Sequence, residues 1–266
     1  MLKEEQLLEK RLIELSKTAY HRDIITYSDF LNLNELNILH SLPKDQLYTR
    51  YITFGGYELA ERQMAAFIPD ALYLRGTSDS GEEQEVLPDS CNFPFCVLSI
   101  EPLHDKYAEE LTHRDYLGAI LNLGIERSKL GDIIIDGKQA YIFIQSALCV
   151  FLKDELTRVR HTGVLLKEVT LEDCHYSPRY EELKGTVASV RLDSLLALAF
   201  SSSRTKLTGL IEGAKVFVNG RLMTTNSYQV REGDIISVRG MGKFRYIGTL
   251  SRTKKNRIFV TIHKYI

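Results

Sequence analysis

Two dipeptides, Asp136-Gly137 and Asn219-Gly220, each stand between short runs rich in β-branched and aromatic residues. Pairs of this kind accept the positive φ that two-residue hairpins demand, so each brings two antiparallel strands together. The first hairpin joins GDIIID to AYIFI, and the second lies within KVFVNGRLM.

Around the first hairpin the elements follow a regular order. FPFCVLSIEP reads as a strand and LTHRDYLGAILNLG as a helix; after the hairpin, QSALCVFLKDEL is helical and VLLKEVTL a last strand. That is β-α-β-β-α-β, the ferredoxin-like arrangement that RNA recognition domains also use. Tyr141 and Phe143 fall on one side of its third strand, where such domains stack bases; packing in the core is the other reading of this pair.

Upstream, Leu8, Leu12 and Leu15 share one face of a first helix. Ser28 or Asp29 caps a short turn, and Asn34 caps a helix through Leu36, Leu39 and Leu42 that Pro43 stops. YITFGG is a strand ending in Gly55-Gly56, read as a tight turn in preference to a phosphate cradle, and ELAERQMAAF is read as helical up to Pro69. Residues 76–90, rich in Gly, Ser and acids, read as an exposed loop.

Downstream, HYSPRYEELKG reads as a linker. RLDSLLALAF is a helix with Asp193 as N-cap, and SSSRTKLTGLIEG is a second helix with Ser202 or Ser203 as cap and Gly213 at its stop. DIISVRG is a strand after a Glu232-Gly233 turn, and the basic FRYIGTLSRTKKNRIFVTIHKYI closes the chain as β structure. The expected class is α+β with three domains: a small mixed N-terminal domain over 1–75, a ferredoxin-like domain over 76–175, and a basic domain over 186–266.

The net charge of −1 conceals a division. Residues 186–266 hold fourteen of the 34 Lys and Arg but only four of the 35 Asp and Glu, about +10; the rest carries about −11. A positive module on a negative body is the electrostatic footprint of an RNA reader. No run of 18 apolar residues occurs and the N-terminus lacks an apolar signal core, so neither a membrane span nor export is expected, and the location is read as cytoplasmic. Cys91, Cys96, Cys149 and Cys174 form no C-x-x-C pair. They are read as small apolar residues of a reducing compartment, with no metal site expected.

Within the basic domain, Arg204 and Lys206 occupy the first turn of the second helix. Lys215 and Arg221 flank the hairpin, and Arg239 and Lys243 bracket a glycine-containing bend. Together they can contact phosphates along an RNA backbone. Arg191 and Asn219 join this set, although Asn219 also reads as a turn residue and Arg191 as the partner of Asp193. Arg114, Arg127 and Lys129 are secondary candidates for RNA contact, against the reading of an ordinary solvated face. His113, Arg114 and Asp115 adjoin in sequence, but neighbours on a helix point about 100° apart and do not converge.

The run from Arg191-Leu192-Asp193 through Ser203-Arg204, Leu210-Ile211, Val216-x-Val218-Asn219-Gly220 and Gly233-Asp234 resembles the RNA-binding domain named after ribosomal protein S-four. That resemblance implies two short helices on a small twisted sheet. Leu207 stands where the pattern usually has Ala, which implies a slightly different helix packing.

The wider chain resembles the bacterial YlmH family. The likeness is carried by Phe54-Gly55-Gly56-Tyr57, Ala60-Glu61-Arg62, the block His113 to Gly118, Leu123-Gly124-Ile125 and Gly131-Asp132-Ile133. The expectation is a monomeric, non-catalytic protein without cofactors, because the residues show no catalytic constellation, and the resemblance implies a role on the ribosome. Its expected partners are ribosomal RNA, the large ribosomal subunit and peptidyl-transfer RNA, in rescue or quality control of stalled translation.

Two other classes compete. Arg191-Leu192-Asp193 mimics the catalytic context of pseudouridine synthases, yet no large catalytic β-domain follows it. Gly240-Met241-Gly242 lacks the strand-to-helix setting of a methyltransferase turn. No Gly-x-Ser-x-Gly occurs either. A cell-division or membrane-surface adaptor is the third class, based on the acidic N-terminal part and its leucine-bearing helix.

Overall fold

The computed structural model describes residues 3–74, 91–171, 179–202, 204–252 and 257–265. The expected loop at 76–90, Cys174 and Ser203 lie outside the described residues. The chain divides into two compact units, Met1–Tyr176 and Ser177–Ile266.

The first unit opens with α1 (Lys3–Arg22), which buries Leu12, Ser16 and Ala19 and packs Leu8 and Leu15 on the same core. β1 (Thr26–Tyr27) follows, then α2 (Leu33–Ser41). The cap of α2 is Asn32, not Asn34: Asn32 Oδ1 accepts from the Asn34 and Glu35 amides, while Glu35 reaches back to the Asn32 amide at 2.7 Å. This capping box satisfies donors that the first helical turn leaves open.

β2 (Arg50–Phe54) and β3 (Met64–Ile68) complete a sheet of order β1-β3-β2. The helix expected over ELAERQMAAF is absent. Residues 57–63 form turns and a bridge, and Met64–Ile68 is the central strand, with all five residues buried. Met, Ala and Phe carry moderate to good helix propensity, but a strand buried on both faces overrides it. A short helix, α3 (Asp70–Leu74), ends the segment.

β4 (Phe95–Pro102), α4 (His113–Asn122), β5 (Leu130–Asp136), β6 (Gln139–Gln145), α5 (Cys149–Glu155), β7 (Arg158–Val159) and β8 (Thr162–Val169) form the middle of the chain. Their antiparallel sheet has the order β5-β6-β4-β8-β7. The expected β5–β6 hairpin is present, but Asp136 pairs with Gln139, so the two-residue loop is Gly137-Lys138. Only Gly137 of the two has positive φ, 61°, the pattern of a type II′ turn with glycine first. One face of the sheet packs Leu98, Ile100, Ile142 and Ile144 on Tyr116, Ile120 and Leu152 of the helices.

The other face is closed as well. Tyr141 and Phe143 are buried with Val97 and Ile134 against Phe30 and Met64 of the first segment, and the Tyr57 ring lies 5.6 Å from that of Phe143. Of the two readings of Tyr141 and Phe143, core packing is what the fold shows. Burying a ring of this size contributes roughly 1.5–3 kcal/mol.

The second unit begins earlier than the linker reading allowed. Tyr180–Val187 is a strand, β9, paired along its whole length with the last strand of the chain. Next come α6 (Leu192–Phe200), α7 (Arg204–Glu212), β10 (Val216–Val218), β11 (Arg221–Leu222), β12 (Ile235–Val238), β13 (Gly242–Arg252) and β14 (Ile258–Tyr265). The antiparallel sheet has the order β11-β10-β12-β13-β14-β9. Bulges after Tyr246 and Thr249 break the β13–β14 register and curl the sheet. Leu195, Leu196 and Leu207 of the helices are buried on Val216, Ile236, Phe244 and Ile262. No helix among the described residues is long and apolar enough to cross a membrane.

Candidate nucleic-acid interface

α6 starts where Leu192 and Asp193 donate their amides to the carbonyls of Tyr228 and Asn226. Its N-cap residue is Arg191, not Asp193; Asp193 sits in the first turn, and its carboxylate lies 3.2 Å from Arg191 Nε. The Arg191-Leu192-Asp193 tripeptide is thus a helix start with an internal ion pair. Ser201, in the left-handed region at φ 45°, ends α6, and α7 begins three residues later. Arg204 and Lys206 lie in the first turn of α7, while their side chains fall outside the described residues.

At the far end of α7 the residue of positive φ is Ala214 (55°), not Gly213. The Lys215 amide donates to Leu210 O at 3.0 Å and the Ala214 amide to Ile211 O at 3.1 Å. That is a Schellman ending with an alanine where glycine is usual. It delivers Lys215, exposed, to the start of β10, where its carbonyl accepts the Arg239 amide at 2.9 Å.

Arg239 is exposed too, its guanidinium carbon 5.6 Å from the centroid of the buried Phe217 ring. The aromatic face orients the cation and holds part of its stem out of water. Gly240 and Gly242, at φ 77° and 104°, turn the chain so that Lys243 comes opposite Ser237.

Lys215, Arg239 and Lys243 are therefore gathered at one end of β10 and β12. Arg221, exposed, pairs with Val218 at the other end of β10, roughly 10 Å away by strand rise. Arg245 was not singled out from the sequence; it follows Lys243 at strand period and shares its side of β13. The Lys-x-Arg spacing is the signal that finds it.

Asn219 behaves differently. With φ 48° it forms the hairpin turn with Gly220 at 75°, its Nδ2 donates to Asp234 Oδ1 at 2.8 Å, and its Oδ1 accepts from the Ile235 amide at 2.9 Å. Both ends of the amide serve the fold.

In the first unit the secondary candidates separate. Arg114 is exposed in the first turn of α4. Arg127 instead donates to the carbonyls of Leu130 and Gly131 at 2.9 and 3.0 Å, and burial beside Arg62 pushes its pKa down to about 10. Lys129 is ion-paired with Asp29 at 2.8 Å. The Arg127 side chain is thus taken up by the carbonyls of β5 and its own carbonyl by Arg62, while Lys129 ties Asp29 to the start of β5; neither is the ordinary solvated face that is the alternative to RNA contact.

The residues behind the wider resemblance meet at this same place. Asp132 accepts from Tyr57 Oη at 2.8 Å and from the amides of Glu61 and Arg62, while Arg62 donates to the carbonyls of Phe30, Arg127 and Leu130. A Cβ on Gly56 would enter the Phe143 ring, and one on Gly55 would meet Ala60 Cβ at 2.5 Å. The paired glycines therefore make a packing turn, in accord with the turn reading.

Two short helices on a curled, basic antiparallel sheet, preceded by a βαββαβ unit, define a multi-domain mixed α/β RNA-binding protein. Residues 88–173 match the family model described as "Putative RNA-binding domain in YlmH", and residues 190–236 match the S4 domain. The chain carries these two domains in this order, and it is similar to the YlmH family along nearly its whole length.

Among curated proteins, the chain is 27% identical over 263 residues to ribosome-associated protein quality control protein P2 of Bacillus subtilis, covering 98% of this chain and 96% of that one. It is 33% identical over 92 residues to small ribosomal subunit protein uS4 of Chromohalobacter salexigens, covering 32% and 43% of the two chains. The solved structure of cell division protein ylmH from Streptococcus pneumoniae is similar at 21% identity with a TM-score of 0.49, over 65% of this chain and 96% of that one.

Proposed function

We propose that this protein binds ribosomal RNA, transfer RNA or both on the large ribosomal subunit, and acts without catalysis in rescue or quality control of stalled translation. The observation that carries the reading is the exposed Lys215–Arg239 pair, built onto an S4 domain by a helix ending and a glycine bend. Similarity along nearly the whole chain to a protein named for ribosome-associated quality control supports the ribosomal setting.

Phosphate contacts from Arg204, Lys206, Lys215, Arg221, Arg239 and Lys243 supply most of the affinity in this reading. The middle domain is read as ferredoxin-like; the order β5-β6-β4-β8 supports that assignment. With Tyr141 and Phe143 buried, its contribution to RNA binding falls to edges and helix ends, Arg114 among them, and not to base stacking on that sheet face.

The test is sedimentation of the tagged protein from lysate through a sucrose gradient, with RNase and high-salt controls. Co-migration with free large subunits, lost in a Lys215→Glu/Arg239→Glu variant that remains folded, is the expected result. A protein that stays at the top of the gradient overturns the ribosomal reading.

A further inference from the structure

Three side chains that the RNA reading does not use converge on the helix-bearing face of the middle sheet. Cys96 of β4, Cys149 at the start of α5 and Glu168 of β8 bring two Sγ atoms and a carboxylate oxygen within 4.8 Å of one another. The Cys149 thiol donates to Glu168 Oε2 at 3.4 Å, and Lys153 Nζ lies 3.5 Å from that same oxygen. The register accounts for the convergence: Leu98 pairs with Glu168, and Cys96 lies two residues before Leu98 on the same face.

A tetrahedral zinc ion with Zn–S near 2.3 Å and Zn–O of about 2.0–2.2 Å separates its ligand atoms by roughly 3.5–3.8 Å. The separations observed lie within a small side-chain rotation of that spacing. Thiolates with one carboxylate also select a borderline-soft ion over magnesium or calcium, which take oxygen ligands.

Charge balance favours the same occupant. Two thiolates and a carboxylate carry −3, the ion +2, and Lys153 beside Glu168 supplies the remaining +1. Glu168 is exposed, so the cluster is open to solvent on one side.

We propose that Cys96, Cys149 and Glu168 bind a zinc ion that fastens α5 to the sheet of the middle domain. Binding replaces two S–H bonds with two Zn–S bonds, displaces water from the hydrated ion and releases two protons to solvent. Its structural effect is specific: α5 has seven residues, too few to hold a helix without tertiary support, and the ion ties its first turn to β4 and β8 together. A thiol must lose its proton to bind the ion, so affinity rises with pH. The ligands come from three elements far apart in sequence, so no C-x-x-C spacing announces them.

The experiment uses the full-length chain, reduced with a phosphine, stripped by chelator and titrated with Co²⁺ and then Zn²⁺. The expected result is one Co²⁺ per chain with a thiolate-to-cobalt absorption band and visible d–d bands, bleached by Zn²⁺, with two protons released. Cys96→Ser and Cys149→Ser should abolish the thiolate band, Glu168→Gln should weaken binding at least tenfold, and Cys91→Ser should leave it intact. Circular dichroism of each variant checks that it remains folded. Absence of the band at large cobalt excess overturns the proposal, as does a band that survives in folded Cys149→Ser. Neither the ligand nor the readout involves RNA, so the outcome is independent of the functional reading above.

Discussion

Asn219 Nδ2 donates to Asp234 Oδ1 at 2.8 Å, locking the β10–β11 turn to the residue that opens β12. Asp234 is only 7% exposed and also accepts the Arg231 amide at 2.8 Å. Asn219→Ala leaves a buried carboxylate oxygen without that donor and places alanine at φ 48°. A loss of about 1–3 kcal/mol in urea unfolding is expected, with RNA affinity unchanged where the protein is folded. A variant as stable as wild type but weak for RNA would reassign Asn219 to the interface.

Ala214→Gly should stabilise the protein. The left-handed conformation costs an L residue roughly 1–2 kcal/mol, and glycine returns part of that gain through unfolded-state entropy. A net rise of about 0.5–1 kcal/mol in unfolding free energy is expected, with no change in the salt dependence of RNA binding.

Lys215→Ala and Arg239→Ala should each weaken RNA binding and flatten the plot of log K against log salt by roughly 0.7–0.9, the value for one lost phosphate contact. Arg204→Ala/Lys206→Ala should flatten it by about twice that without unfolding the chain. Filter-binding isotherms over a range of salt check both. An unchanged slope in all three variants would remove these residues from the interface.

Gly56→Ala combines φ 97° with a methyl group driven into the Phe143 ring. Overpacking and backbone strain together should cost about 3 kcal/mol. Chemical denaturation should show the loss, and thermolysin cleavage at native temperature should accelerate because the first segment no longer seats on the middle sheet.

His113, on the surface at the start of α4, is held below the ordinary histidine pKa by partial desolvation first and by the Arg127 guanidinium second. Its unfolded form therefore binds a proton more readily than its folded form, and stability falls as pH drops from about 6.5 through the lower folded value. His113→Gln should reduce the loss of stability between pH 7 and pH 5; equal pH profiles for the variant and wild type would contradict the assignment.

Much of the local structure was legible. The Asn219-Gly220 turn, the leucine face of α1 and the alternation of strands and helices from Phe95 to Val169 follow from interactions within a few residues. The same holds for the basic character of the second unit. Errors of one or two positions, at Asn32, Gly137 and Ala214, came from caps and turns where neighbouring residues compete for one role.

The larger errors were non-local. Met64–Ile68 reads as helix until β1 and β2 are placed on either side of it. Arg127 and Lys129 read as a solvated face until Arg62 and the carboxylate of Asp29 arrive beside them from far along the chain. Sequence by itself determined the two helices and the Asn219-Gly220 hairpin of the second unit, though not β9, and where its positive charge lies, because backbone turn chemistry and formal charge are properties of single residues and their neighbours. Tertiary structure alone decided which faces are closed, which cations are already engaged and which cysteines meet a carboxylate, because burial and pairing depend on segments that arrive from far along the chain.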